Sequence, residues 1–85
     1  MFEPVKKGDT GDNVMVMQAF LYVLQYTGED DKPISIDGSC GDNTVAAINK
    51  FQEAQRRYGI ECGTDGQNDG VFGKACWERI GLGNV

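Results

Sequence analysis

A five-residue pattern, Asp-Gly-x-x-Gly, occurs twice in this chain. It appears as Asp37-Gly38-Ser39-Cys40-Gly41 and as Asp69-Gly70-Val71-Phe72-Gly73, and each copy runs into a segment of helical periodicity. The first glycine permits a left-handed turn, and the aspartate carboxylate can accept backbone amides of that turn. The second glycine is expected to let the chain enter the helix without a side-chain clash. A looser version, Gly8-Asp9-Thr10-Gly11, precedes a first periodic segment. With only 85 residues, such a chain buries ~60–65% of its unfolded surface and makes one small domain, spanning 1–85. A water-excluding catalytic cleft is hard to fit into it.

Three helices are expected. The first runs from about Asp12 to Tyr26, capped by Thr10 or Asp12 and stopped by Gly28. Val14, Met17, Phe20, Leu21 and Leu24 lie on its core face at 100° per residue, yet Met15, Ala19, Tyr22 and Tyr26 line the opposite side. That second stripe could stack sugar rings, dock a partner domain, or be covered by Phe2, Val5 or Leu82 from the termini. The second helix, about Asn43 to Tyr58, carries an apolar stripe of Ala47, Ile48, Phe51, Ala54 and Tyr58. Its outer face presents Asn49, Lys50, Glu53, Arg56 and Arg57. The third begins near Gly73 or Lys74 and ends by Ile80, with Phe72 placed to fold back on it as a staple. Ile34 and Ile36 could form a brief extended stretch. The fold class is therefore all-α, a compact three-helix module with pseudo-repeated loops.

Composition narrows the chemistry. The chain has no histidine and a formal charge of −5. That removes imidazole relays and His-ligated zinc, and it disfavours nucleic acid and anionic membrane as partners. No apolar run approaches the ~20 residues of a transmembrane helix. The opening Met1-Phe2-Glu3-Pro4 lacks the basic-then-apolar layout of a signal peptide. Three cysteines, Cys40, Cys62 and Cys76, are an odd number without Cys-x-x-Cys spacing. Their simplest role is as small apolar filler, with one bridge possible outside the cell. No cofactor or metal is expected. Asp65 through Gly70 looks superficially like a calcium loop, but Cys76 falls where a bidentate glutamate is required.

The motifs resemble those of the peptidoglycan-binding domain family type 1. Gly8-Asp9-Thr10-Gly11 followed by Val14 and Met17-Gln18 is similar to its opening. Asp37-Gly38-x-x-Gly41-x-x-Thr44-x-x-Ala47-Ile48-x-x-Phe51-Gln52 is similar to its central signature, and Asp69-Gly70-Val71-Phe72-Gly73-Lys74-Ala75-Cys76-Trp77 to its closing turn and helix. The similarity runs from about Val5 to Leu82. Cys40 stands where the family usually has an aromatic or apolar residue, Cys76 where it often has threonine, and the loop from Tyr58 to Asp69 is longer than typical. The resemblance implies a non-catalytic module that anchors a cell-wall hydrolase, such as an amidase, endolysin or carboxypeptidase, to peptidoglycan. It implies a cell-wall or extracellular setting within a larger protein, or release in the manner of a phage lysin.

The candidate ligand contacts are Tyr22 and Tyr26 for stacking and Asn43 and Asn49 for acetamido groups. Arg56 and Arg57, with Lys50, are candidates for stem-peptide carboxylates, and Tyr58 is a further ligand candidate beside the 59–68 loop. Arg56, Arg57 and Lys50 have a plainer reading as a solvated helix face. Asp37, Gly38, Gly41, Asp69, Gly70 and Gly73 are turn residues. An acid–base role for Asp37 and Asp69 is the weaker reading, because similar local settings do not drive two pKa values apart. Gln18 and Gln52, half-buried amides, are expected to bond the backbone of the two Asp-Gly turns rather than a ligand. The alternative function is a protein-interaction or autoinhibitory module docking on a catalytic domain through the Met15, Ala19, Tyr22 and Tyr26 face.

Overall fold

A computed structural model describes residues 2–82. They form α1 (Asp12–Val23), α2 (Asp42–Arg56) and α3 (Lys74–Arg79), with isolated antiparallel bridges and no strands among the described residues. None of these helices is long and apolar enough to cross a membrane.

The N-terminal segment ties the turns together. Gly8 N donates to Cys40 O at 2.9 Å, Cys40 N to Asp9 O at 2.9 Å, and Gly11 N to Gly38 O at 2.9 Å. Further back, Val5 and Phe72 exchange both backbone bonds, at 3.1 and 2.8 Å. The loop before α1 is thus paired to the loops before α2 and α3. Ile34 turns into the core while Ile36 faces solvent, so the expected extended stretch survives only as alternation, with Pro33 bridged to Thr27.

A chain of aromatic rings runs through the core. Tyr26 meets Phe51 edge-on at 5.5 Å, Phe51 meets Phe72 at 5.4 Å, Phe72 meets Trp77 at 5.0 Å, and Trp77 stacks on Phe2 at 4.6 Å. Phe72, just ahead of the Gly73 N-cap, and Trp77, in the second turn of α3, make the expected staple. Val14, Met17, Leu21, Ala47, Ile48 and all three cysteines, which are free thiols, fill the space around the rings.

Each helix ends in the same way. Tyr26 N reaches Leu21 O and Gln25 N reaches Tyr22 O, Ile60 N reaches Gln55 O and Gly59 N reaches Arg56 O, and Leu82 N reaches Trp77 O and Gly81 N reaches Glu78 O. These paired bonds are Schellman motifs, whose turning residue must be left-handed. Gly59 and Gly81 meet that need freely, but in α1 the residue is Gln25, at φ 67°. The first helix therefore stops at Val23, short of the expected Tyr26, and Leu24 stays half-exposed rather than joining the core. Tyr58 likewise lies past the end of α2 and is 75% exposed, off the expected apolar stripe. Gln25→Gly should raise stability, and Gly59→Ala lower it, each by about 1 kcal/mol in urea unfolding.

The expected caps and glycine roles need correction. The N-caps are Gly11, Gly41 and Gly73, and none of them makes a side-chain cap bond, so neither Thr10 nor Asp12 caps α1. Gly41 and Gly73 adopt extended backbone (φ −99° and −89°) and a Cβ at either would touch nothing within 4 Å. No clash requires glycine there. The demanding positions are the first glycines: Gly38 and Gly70 are left-handed, and a Cβ would sit 3.3 Å from Gly11 O and 3.2 Å from Val45 Cγ1 respectively.

Candidate functional site

Two buried glutamines, each on the helix preceding a turn, hold the Asp-Gly turns. Gln18 of α1 donates to Asp37 Oδ1 (3.1 Å), Ser39 O (3.0 Å) and Thr44 Oγ1 (3.1 Å), and accepts from Gly38 N (2.8 Å). Gln52 of α2 donates to Cys62 O (3.0 Å), Asp69 Oδ1 (2.8 Å) and Val71 O (2.9 Å), and accepts from Asp69 N (3.1 Å). Neither amide is available to a ligand. Asp37 Oδ1 also accepts from Ser39 N, and Asp69 Oδ1 from Val71 N, so both aspartates serve their own turns.

The carboxyl pKa values follow from these bonds. The Ser39 amide and then Gln18 hold Asp37 below the usual carboxylate range. Burial pushes Asp69 up, but donors from Gln52, Thr64 and Val71 outweigh it and leave the group lowered. Both groups are shifted towards the anion, so neither is tuned as an acid. Thr64 Oγ1 also donates to Asp69 Oδ2 at 2.7 Å.

The early end of α1 creates a surface. Tyr22 stays on the helix, 48% exposed, while Tyr26 returns inward, its ring edge on Phe51 and its hydroxyl accepting from Gln55 Nε2 at 3.4 Å. The two tyrosines, with Gln25, Thr27 and Pro33, line a groove of about 320 Å³. Tyr26 also lines a second pocket of about 270 Å³, with Phe20, Leu24, Phe51, Ile80, Gln55 and Arg79. Arg79 Nε donates to Gln55 Oε1, and no carboxylate among the described residues pairs with its guanidinium. Flat apolar faces with polar tips, next to an apolar pocket holding a cation, suit a ligand that alternates sugar faces with amide and carboxylate groups.

The other candidates lie elsewhere. Asn43 is spent on structure: its Oδ1 accepts from Glu29 N at 3.0 Å, and a Cβ at Gly28 would collide with its side chain at 2.7 Å. It borders a polar groove of about 420 Å³ lined by Glu29, Ser35, Asp37, Ser39 and Asp42. Asn49 is half-buried beside Gly70, its Oδ1 enclosed with no hydrogen-bond partner among the described residues. Arg56 is occupied by Asn68 (3.2 Å) and Glu61 (3.3 Å), Arg57 faces Glu53 at 3.9 Å, and Lys50 binds Thr27, the Gly28 carbonyl and Asp31. Arg56, then the Gly63 amide, lowers the Glu61 pKa. Tyr22 and Tyr26, by contrast, line one groove.

The Met15, Ala19, Tyr22 and Tyr26 stripe is broken at Tyr26, which leaves the helix. The described terminal segments do not cover its remainder. Phe2 stacks on Trp77, Val5 pairs with Phe72 and Leu82 bonds to Trp77 O, while Met15 and Tyr22 stay exposed. Arg79, Phe20 and Ile80 were not among the sequence candidates. Arg79 lies on a six-residue helix with no local pattern to mark it, and only tertiary packing carries it to Tyr26.

The family model of the peptidoglycan binding domain matches residues 10–80, covering all three helices and both Asp-Gly turns. The chain belongs to this family. Family membership gives peptidoglycan as the ligand class, places the domain in a cell-wall or extracellular context, and makes it a binding module rather than a catalyst. A curated relative, an uncharacterized protein in the bpoA1 3' region of Kitasatospora aureofaciens, is 34% identical over 80 residues, 92% of this chain. The chain spans 56% of that relative's length. No solved structure matches the peptidoglycan-binding domain described here.

Proposed function

We propose that this domain holds peptidoglycan in the groove between Tyr22 and Tyr26 and so targets an associated cell-wall hydrolase, such as an amidase, endolysin or carboxypeptidase, to its substrate. The observation that carries the reading is the juxtaposition of those two rings, one exposed and one anchored, over a groove bordered by Gln25, Thr27 and Pro33. A glycan ring stacks on Tyr22, its acetamido group reaches Gln25 and Thr27, and the stem peptide extends over Tyr26. There its side-chain methyls enter the Phe20, Leu24 and Ile80 pocket and a carboxylate meets Arg79. Such a shallow site binds weakly, and its use is to raise the local concentration of an attached enzyme at an insoluble substrate.

Co-sedimentation with purified sacculi tests this. Tyr22→Ala should weaken retention about tenfold, equivalent to ~1.4 kcal/mol, with an unchanged melting curve because the ring is half-exposed. Arg57→Ala should leave retention unaltered. The mostly neutral contacts predict a shallow salt dependence, and the domain alone should release no soluble fragments. Exposed Leu24, beside Tyr26 in the second pocket, adds apolar area to this surface, which favours a second reading as a docking face for the catalytic domain. Failure to sediment, together with tight binding to that domain through Tyr22, would replace the first reading with the second.

A further inference from the structure

Cys76 packs its thiol against the backbone of Cys62. Cys62 lies in the loop after α2 and Cys76 in the first turn of α3, and the structure holds both as free thiols. The Cys76 Sγ lies 3.4 Å from the Cys62 carbonyl oxygen, so the two cysteines are in direct contact. Gln52 keeps them in register, its amide donating to Cys62 O at 3.0 Å and lying 3.9 Å from Cys76 Sγ. Both residues are buried, at 4% and 0% exposure, and neither lines a pocket described above. Cys40 is committed elsewhere, its backbone N and O bonded to Asp9 and Gly8 beside the first Asp-Gly turn.

We propose that Cys62 and Cys76 close a disulfide when the domain folds in the presence of a small-molecule disulfide, leaving Cys40 as the free thiol. One cysteine thiolate attacks the donor disulfide, expels a thiolate and leaves a mixed disulfide on the protein. The second cysteine thiolate then attacks the protein sulfur and expels the second donor thiolate. The two cysteines together lose two protons and two electrons, and the donor is reduced to two thiols.

Timing follows from burial. The thiolate is the reacting species, and burial pushes the Cys76 thiol up to about 12, with the neighbouring Cys62 adding to the rise. Burial raises Cys62 as well. In the closed domain almost no thiolate exists at neutral pH, so the bond forms while α3 is still docking and is then sealed from reductant. The redox poise where the chain folds therefore sets the state of the pair, and a wall-facing compartment is oxidising. The bridge fastens the loop after α2 to α3, across the turn that Gln52 holds. This inference is independent of which surface meets the wall.

Refolding the full chain in glutathione buffers, unfolding it in denaturant with iodoacetamide present so that buried Cys40 can react, and mapping peptides by mass spectrometry tests it. The expected product is a monomer 2 Da lighter than the reduced chain. Cys40 alone should be alkylated, with one cross-linked peptide joining Cys62 to Cys76. Cys40→Ala should refold to a monomer without an alkylatable thiol, whereas Cys62→Ala should keep its two remaining thiols. Reductant present during refolding should lower the wild-type Tm by about 10 °C and leave Cys62→Ala unmoved. Three alkylated cysteines at every glutathione ratio, or a bridge that includes Cys40, would overturn the proposal.

Discussion

Replacing Gln52 by leucine should cost this domain about 3–5 kcal/mol, a large share of the ~5–15 kcal/mol typical of a small fold. The side chain is fully buried and its amide serves Cys62 O, Asp69 Oδ1 and Val71 O while accepting from Asp69 N. Leucine fills the volume but leaves these groups short of a partner, at ~1–3 kcal/mol for each that water cannot reach. Val71 N still reaches Asp69 Oδ1, so the turn loosens rather than vanishes. Urea unfolding should show a lower midpoint at unchanged slope, and amide exchange should show Asp69 losing its protection first. Gln52→Glu should be worse at neutral pH, because a carboxylate there confronts a second carboxylate and two carbonyls. Its folded pKa would be raised above the unfolded value near ~4.3. The extra deficit relative to wild type should thus be smallest in acid and grow as pH rises through that folded pKa. For wild type the sign is reversed. Asp37, Asp69 and Glu61 are all lowered, so their contribution is intact above the unfolded carboxylate pKa and is lost as pH falls through the folded values.

That amide was legible in the sequence because a glutamine beside an apolar helix face must find partners, and the nearest backbone awaiting them was the following Asp-Gly turn. The three helices and the aspartate turns were legible for the same kind of reason, being set by residues close in sequence. The end of α1 was not. A Schellman stop is announced by glycine, and here Gln25 takes the left-handed position. It does so because Tyr26, the next residue, gains burial against Phe51. A long-range contact thus overrides a local conformational cost of ~1–2 kcal/mol. The same override decided which cations meet a carboxylate among the described residues. Arg56 looked like part of an open face, but the 61–68 loop folds back to supply Glu61 and Asn68. Arg79, which nothing local marked, is left beside the tyrosine groove. Sequence spacing located the aromatic half of the proposed site, and only packing could locate its cationic half.

Trp77→Ala should reduce stability by about 3–5 kcal/mol, a loss comparable with the whole stability of a small domain. The indole joins elements far apart in the chain. It stacks on Phe2 at 4.6 Å, meets Phe72 edge-on at 5.0 Å, and donates from Nε1 to Glu3 O at 2.9 Å. Alanine would open a cavity at the end of the aromatic chain and loosen the N-terminal segment, which the Val5–Phe72 pair and the two Glu3–Asn13 bonds would still hold. Trp77→Phe separates ring from bond. A phenyl retains most of the stacking surface, and Glu3 is exposed, so water can replace the lost donor and the cost should be nearer 1 kcal/mol. Thermal unfolding by circular dichroism distinguishes the two: near-complete loss of the transition at 37 °C for alanine, and a downshift of about 4–8 °C for phenylalanine. If the two variants lose equal stability, the Nε1 bond rather than the stack anchors the N-terminus. The aromatic chain would then end at Phe72 as far as energy is concerned.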